Sequence, residues 1–167
     1  KVVLMIDLGD LREGIFFQNE ALLLETAAMA EADPNLELFG TAFNLTCYGS
    51  VLPSEENLAA FLEMTEKIEK QIGRRLPFIS GGNSSSIPLL LAGKMPGRVN
   101  NLRLGEALVL GRETAYGADL DGMYSDAVRL EAEVAEVQVK PSYPIGEIGV
   151  NAFGERGTYT DIGPRRR

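Results

Sequence analysis

Residues 76–111 run LPFIS-GGNSSS-IPLLLAG-KMPGR-VNNLRL-GEALVLG. Leu76–Ser80 is a short strand, and Gly81–Ser86 is a loop entering a helix over Ser85–Ala92. Gly93 is a natural helix stop. The cycle then repeats: Val99–Leu104 is a strand, Gly105 turns the chain, and a short apolar helix runs to Leu110. Strands alternating with helices define an α/β fold, a parallel sheet with helical cover. Toward the N-terminus the same pattern continues. Val2–Ile6 is a continuous apolar run, the pattern of a strand buried on both faces. Asp7-Leu8-Gly9-Asp10 breaks it, and helix-permissive residues extend from Leu11 to Ala32, ending at Asp33-Pro34-Asn35. Leu36–Phe43 is the next strand. Ser54 caps the following helix, with Asn57 three positions on, where a capping box prefers Glu. Leu58, Phe61, Leu62, Ile68 and Ile72 form that helix's apolar face, and Gly73 ends it. Up to Gly111 the pattern is βα four times over, with no sequence similarity between the repeats.

After Gly111 the texture changes. Residues 116–124 are turn-rich, and Ala127–Lys140 alternates apolar with charged residues, the mark of a half-buried antiparallel strand. Its in/out phase slips near Ala135, as a bulge would require. The reading is therefore an α/β domain over 1–111 and a linker with the beginning of a β-rich domain over 112–167. Tyr143–Arg167, rich in Gly and Pro, receives no element.

Composition narrows the function. The chain has 167 residues, 16 Lys plus Arg against 24 Asp plus Glu, and a net charge of −8. That balance disfavours nucleic acid and anionic membranes as partners. With no histidine and the single Cys47, Ser-His-Asp triads, Cys-His dyads, His-metal sites, Cys-zinc clusters and intrachain disulfides are all excluded. No segment is long and apolar enough to span a bilayer, and Val2–Ile6 is too short for a signal-peptide core. The expected compartment is the cytoplasm. The chain opens on Lys1 inside an apolar run and closes on three arginines, which reads as an internal piece of something longer.

Three loops could carry chemistry, each following a parallel strand and so projecting to one end of the sheet. Asp7-Leu8-Gly9-Asp10-Leu11-Arg12-Glu13-Gly14 is either functional or a turn with two solvated acids. Ser80-Gly81-Gly82-Asn83-Ser84-Ser85-Ser86 offers close backbone approach, hydroxyls and free amides at a helix start, which suit a phosphate; it is equally a capped helix with a flexible lead-in. In Asn100-Asn101-Leu102-Arg103-Leu104-Gly105-Glu106-Ala107, an Arg inside an apolar strand needs a partner, either a ligand or a neighbouring carboxylate. Cys47, just after the second strand, reads as a small core residue.

The stretch from Ser80 to Ser86, with Asn100 to Gly111, resembles the alanine racemase family, and within it the ornithine racemase-like amino-acid racemases. Asp7 to Gly14 resembles that family's Asp-Thr-Gly-Met-x-Arg-x-Gly segment, and Pro144-Ile145-Gly146-Glu147-Ile148-Gly149 still looks like the same branch. The resemblance implies a TIM-like (β/α)8 barrel followed by a β-domain, pyridoxal 5′-phosphate (PLP) as cofactor, an amino acid as substrate, and a homodimer. It makes Ser84 the phosphate-binding serine, with Asn83 and Ser85 beside it in the cofactor-binding set. It makes Gly105 and Glu106 the positions whose amides hold the phosphate. Arg103 would face the pyridine nitrogen and Arg12 would lie near the cofactor's phenolic oxygen. Asn44 falls where alanine racemases carry a histidine packed on the ring, and Met5 where many carry a lysine. An arginine facing the ring nitrogen disfavours its protonation and gives a shallower electron sink, which suits simple proton removal and return at Cα.

In the family the Schiff-base lysine belongs to the first barrel strand, and none of Lys1, Lys67, Lys70, Lys94 or Lys140 sits in that motif. A whole barrel needs about 250 residues. The expectation is thus the C-terminal half of a barrel and the start of a β-rich domain: an inactive fragment of a PLP-dependent racemase of ornithine/alanine type, with its catalytic lysine outside this chain. Two rivals are a PLP-binding carrier protein without robust racemisation and an unrelated open α/β sheet with another phosphate ligand. The Ser84 region and the Gly105-Glu106 amides are expected to converge, with Arg103 aimed at the same hollow and the Glu106 carboxylate turned away.

Overall fold

The computed structural model describes residues 1–166 and divides into two compact units, Lys1–Val128 and Arg129–Arg167. The first contains β1 (Val2–Asp7), β2 (Ile15–Phe16), α1 (Glu20–Ala32), β3 (Leu38–Ala42), α2 (Glu55–Ile72), β4 (Phe78–Ser80), a 3-10 turn over Ser84–Ser86, α3 (Ile87–Leu91) and α4 (Glu106–Leu110). The second contains β5 (Val139–Lys140) and β6 (Arg165–Arg166). In the first unit the sheet order is β2-β1-β3-β4, and every pairing is parallel. The α/β reading holds.

Local chemistry decides the boundaries. The helix expected from Leu11 starts only at Glu20. Gly9, Leu11 and Gly14 have φ of 106°, 57° and 116°, which no right-handed helix contains. A side chain at Gly14 would lie 2.8 Å from the Met5 carbonyl oxygen, so the loop folds back tightly and lays β2 beside β1. Asn19 then caps α1 by accepting the Leu22 N–H. At α2 the capping box is complete: Asn57 N–H donates to Ser54 Oγ (3.2 Å), and Ser54 N–H donates to Asn57 Oδ1 (2.9 Å). Asn does what Glu was expected to do. Gly73, at φ 75°, ends the helix.

The strand expected over Val99–Leu104 runs beside β4 but keeps a single regular bridge, Ser80 to Asn101. Asn100 N–H donates to the Ile79 carbonyl, Gly81 N–H to Asn101, and Arg103 N–H to Gly82. The ladder is irregular because the Asn100 side chain takes part of it: Oδ1 accepts the Ile79 N–H, and Nδ2 donates to Pro77.

Leu23 and Ala27 of α1 and Leu58, Phe61, Met64 and Ile68 of α2 pack on Ile6, Leu38, Phe43, Leu45, Leu76 and Ile79. Each large side chain fully buried here contributes about 1.5–3 kcal/mol. Val2 and Leu4 pack against this same core. Val3, on the other side of the pleat, is 36% exposed. β1 is therefore buried on one face, not on both as its composition suggested, because its helical cover lies on one side. Residues past Gly111 remain with the first unit: Leu120 N–H donates to the Gly111 carbonyl, and Glu113 N–H to Ala118.

In the second unit the expected strand Ala127–Lys140 is reduced to Val139–Lys140, paired antiparallel with Arg165–Arg166. Leu130 is 93% exposed and Val134 71%. Alternation prepares a face for burial, but a strand forms only where a neighbour supplies ladder partners.

Gly40 marks the closest approach within the sheet: a side chain there would be driven into the Phe78 carbonyl. Gly40→Ala is expected to break the β3–β4 ladder and abolish the cooperative thermal transition followed by circular dichroism. A midpoint within about 2 °C of the parent would refute this account of the sheet.

Candidate functional site

The loops after β1, β3 and β4 and the segment 99–105 meet at the C-terminal end of the sheet. Between them lies an open hollow of about 260 Å³. Asn83, Ser84, Arg103, Gly105 and Glu106 line it, joined by three residues the sequence reading had not placed there, Thr46, Cys47 and Thr114.

Ser84 is its pivot. Asn83 sets up the turn by accepting the Ser85 N–H at 2.8 Å, and its own amide donates to the Leu45 carbonyl at 3.0 Å. That delivers the buried Ser84 hydroxyl to the next segment, where it accepts N–H bonds from Gly105 (3.3 Å) and Ala107 (3.2 Å). The expected convergence is present. The amides at the start of α4 have no partner within the helix, so Ser84 serves as the acceptor. Gly81 is required for the approach, because a side chain there would lie 2.6 Å from Val99 Cγ1. Ser85 lies elsewhere: it is buried, with its hydroxyl 3.5 Å from the Leu45 carbonyl. The Glu106 carboxylate is held by Arg112 at 2.7 and 2.9 Å.

Arg103 lies half-buried against the hollow. It donates to Ser80 Oγ, to the Phe43 carbonyl (2.7 Å) and to Asn44 Oδ1 (2.7 Å). Asn44 Nδ2 in turn donates to Glu13 Oε1 in a short hydrogen bond. Burial lowers the Arg103 pKa, against the opposing attraction of Glu13; an arginine so shifted is still a cation at neutral pH. For Glu13, burial raises the pKa, but hydrogen bonds from its own backbone and Asn44 and the charges of Arg12 and Arg103 outweigh it and hold the carboxyl below its ordinary value. Arg12 sits at the rim, with Nε 3.0 Å from Glu13 Oε2 and Nη1 donating to Cys47 Sγ at 3.0 Å. Cys47 is exposed, not a core residue, because the loop after β3 carries it out to the hollow's edge.

The two acids of the first loop are not solvated. Asp7 Oδ1 accepts the Gly9 and Leu11 N–H groups. Asp10, fully buried, accepts from Cys47 N–H (3.1 Å) and Val51 N–H (2.9 Å) and so ties the loop after β1 to the loop after β3. Glu113, also buried, accepts from Ala115, Tyr116 and Ala118 N–H and shapes the turn bearing Thr114. Asp10 and Glu113 stand in loops without repeating pattern, and only their acceptor chemistry beside glycines hinted at this use.

The parallel α/β sheet thus gathers a hydroxyl, backbone amides and a half-buried arginine at its strand ends, donors of the kind that suit an anion. Residues 1–113 match the family of the alanine racemase N-terminal domain, and the chain belongs to the alanine racemase family. It is 46% identical over 166 residues to an ornithine racemase from Acetoanaerobium sticklandii, covering 99% of this chain and 46% of that protein. It is 38% identical over 167 residues to a lysine racemase from Thermotoga maritima, covering 100% of this chain and again 46% of the relative. The chain thus spans just under half the length of these relatives. Among solved structures, an alanine racemase from D-cycloserine-producing Streptomyces lavendulae shares the fold, with 24% identity, a TM-score of 0.50, and coverage of 68% of this chain and 28% of that one.

Two outcomes are expected. Ser84→Ala leaves two N–H groups without an acceptor and should cost about 1–3 kcal/mol in urea unfolding; no loss would mean solvent replaces the hydroxyl freely. Because the folded pKa of Glu13 lies below its unfolded value, its stabilisation is present above the ordinary glutamate pKa of about 4.3 and is lost as pH falls through the folded value. Glu13→Gln should therefore flatten the acid limb of the stability profile, and an unchanged limb would contradict the assignment.

Proposed function

We propose that this chain is part of a PLP-dependent amino-acid racemase and carries the phosphate and ring-nitrogen side of its cofactor site. The observation that supports it most is the Ser84 hydroxyl drawing in the Gly105 and Ala107 amides beside Arg103. The residues present fit the group. A phosphate needs hydroxyl and amide donors and no facing carboxylate, and the Glu106 carboxylate is already held by Arg112. The hollow lies near the lower bound of ligand clefts, about 300 Å³.

In this reading Ser84, with the amides of Gly105 and Glu106, binds the phosphate, the long Gly105 N–H bond to Ser84 Oγ giving way to it. Arg103, a donor with no proton to yield at neutral pH, faces the ring nitrogen and keeps it unprotonated. When bound, PLP supplies an electron sink that acidifies the amino acid's Cα. Arg12 holds the rim near the cofactor's phenolic oxygen. Asn44 is engaged edge-on between Glu13 and Arg103, so it serves Arg103 instead of stacking on the ring.

β1, β3 and β4 are neighbours in chain order, and α1 and α2 share one core. Parallel strands added in sequence with right-handed crossovers put all helices on one face, as in a closing barrel. We take 1–111 as the second half of a (β/α)8 barrel and 112–167 as the start of the β-domain, in a cytoplasmic homodimer.

The substrate is an amino acid of ornithine or alanine type, and the names of the two relatives favour a basic side chain. Within the first unit, Lys1, Lys67, Lys70 and Lys94 are not among the residues lining the hollow. Lys1 pairs with Glu37, Lys67 with Glu20 and Glu63, Lys94 with Glu55, and Lys140 with Glu136, while Lys70 lies beside Arg74 and Arg75. In this reading the catalytic lysine lies outside the chain, and the chain alone binds PLP without racemising.

The test supplies PLP to the chain and follows its absorbance together with the optical rotation of L-ornithine and L-lysine. Weak binding is expected, lost in Ser84→Ala, with a changed spectrum in Arg103→Glu and no racemisation above that of free PLP. Absence of binding at millimolar PLP would overturn the site, and sustained racemisation would overturn the inactive-fragment reading.

A further inference from the structure

Arg103 is held by acceptors of two kinds. The Phe43 carbonyl and the Ser80 hydroxyl stand at the ends of β3 and β4. The third, Asn44 Oδ1, belongs to a side-chain amide that could rotate. Asn44 presents oxygen to Arg103 and nitrogen to Glu13. Turning the amide over would set N–H against guanidinium and oxygen against carboxylate, two repulsions at once. The Glu13 carboxylate and the Arg103 guanidinium together therefore decide which way Asn44 faces, and Glu13 anchors its far side. The other oxygen of Glu13 lies 3.0 Å from Arg12 Nε, so one carboxylate serves the arginine at the rim and, through an amide, the arginine inside.

We propose that Glu13 is a positioning residue for Arg103: acting through the Asn44 amide, it sets the aim of the guanidinium and compensates its charge in the hollow. Its relevance to a bound ring nitrogen rests on the cofactor reading above. One carboxylate shared by two arginines leaves the hollow net cationic, suited to a phosphorylated ligand, without leaving Arg103 uncompensated. The charged groups facing Glu13 are Arg12 on its own loop and Arg103 across Asn44. Behind Arg12 stands the Cys47 thiol, and Asp10 is engaged by the Cys47 and Val51 amides.

The test is side-chain NMR of the full chain without added cofactor, reading hydrogen exchange at the Arg103 guanidinium. Glu13→Gln removes the charge and keeps an acceptor for Asn44; Asn44→Ala removes the relay. Core amide signals from Leu23 and Phe61 report that each variant is folded. Each single substitution is expected to speed Arg103 exchange about tenfold, Asn44→Ala by removing one hydrogen bond to a charged group and Glu13→Gln by removing the charge that holds that bond in place. The double substitution should do no more than either single one, because the two act along one path. Exchange within about twofold of the parent in Glu13→Gln, or full additivity in the double variant, would overturn the proposal. Should Glu13→Gln not fold, the parent decides. As pH falls, the Arg103 side-chain shifts must move with the same midpoint as the Glu13 carboxyl carbon, and separate midpoints overturn it. Failure here leaves the Ser84 phosphate site standing, while failure of PLP to bind leaves this coupling standing.

Discussion

A guanidinium half removed from water must find acceptors, because a buried charge left unpaired is costly. Arg103 meets this need by reaching past its own segment to Ser80 at the end of β4 and to Phe43 and Asn44 after β3. One side chain thereby sets the relative height of consecutive strand ends. Its backbone does the same, donating from Arg103 N–H to the Gly82 carbonyl. The hollow exists where it does because the strands beside Arg103 cannot slip without unpairing it.

Around this cation the acidic chain turns its carboxylates inward as hydrogen-bond acceptors. Asp7 and Asp10 organise the loop after β1, Asp10 also fastens the loop after β3, and Glu113 folds the turn beyond α4. Glu69 does the same at the far end of α2, accepting the Leu76 N–H while pairing with Arg75 and Arg98. A buried carboxylate that accepts several backbone N–H groups is compensated without a full counter-charge. The loops are therefore held by their own acids, and the arginines that line the hollow or sit at its rim, Arg103 and Arg12, share the single carboxylate of Glu13.

The family assignment and the site are separate achievements of the chain. Belonging to the alanine racemase family follows from the match over residues 1–113. The hydroxyl, the amides and the arginine that suit a phosphorylated ring are properties of particular loops, and loops determine chemistry on a shared fold. Asn44 illustrates this, since its amide donates to Glu13 and accepts from Arg103 across two loops.

The alternation of strand and helix, the Ser54 cap, the Gly73 stop and the approach of the Ser84 loop to Gly105 were legible in the residues, because each depends on local geometry or on loops that follow neighbouring strands. The late start of α1 was not, since the folded-back loop from Gly9 to Asn19 is held by contacts with β1 that helix-permissive composition does not reveal. Nor was the shortness of β5, because a strand needs a neighbour as well as a pattern. Cys47, Thr46, Thr114, Asp10 and Glu13 entered the site only through folding. They come from three loops, and no spacing along the chain records their approach. Sequence alone determined the alternation of strand and helix and which loops carry hydroxyl and amide donors, because those are local properties of the backbone. Tertiary structure alone decided that Glu13 meets Arg103 through Asn44, because that contact joins residues 31 and 59 positions apart, and only the parallel ladder brings such strand ends together.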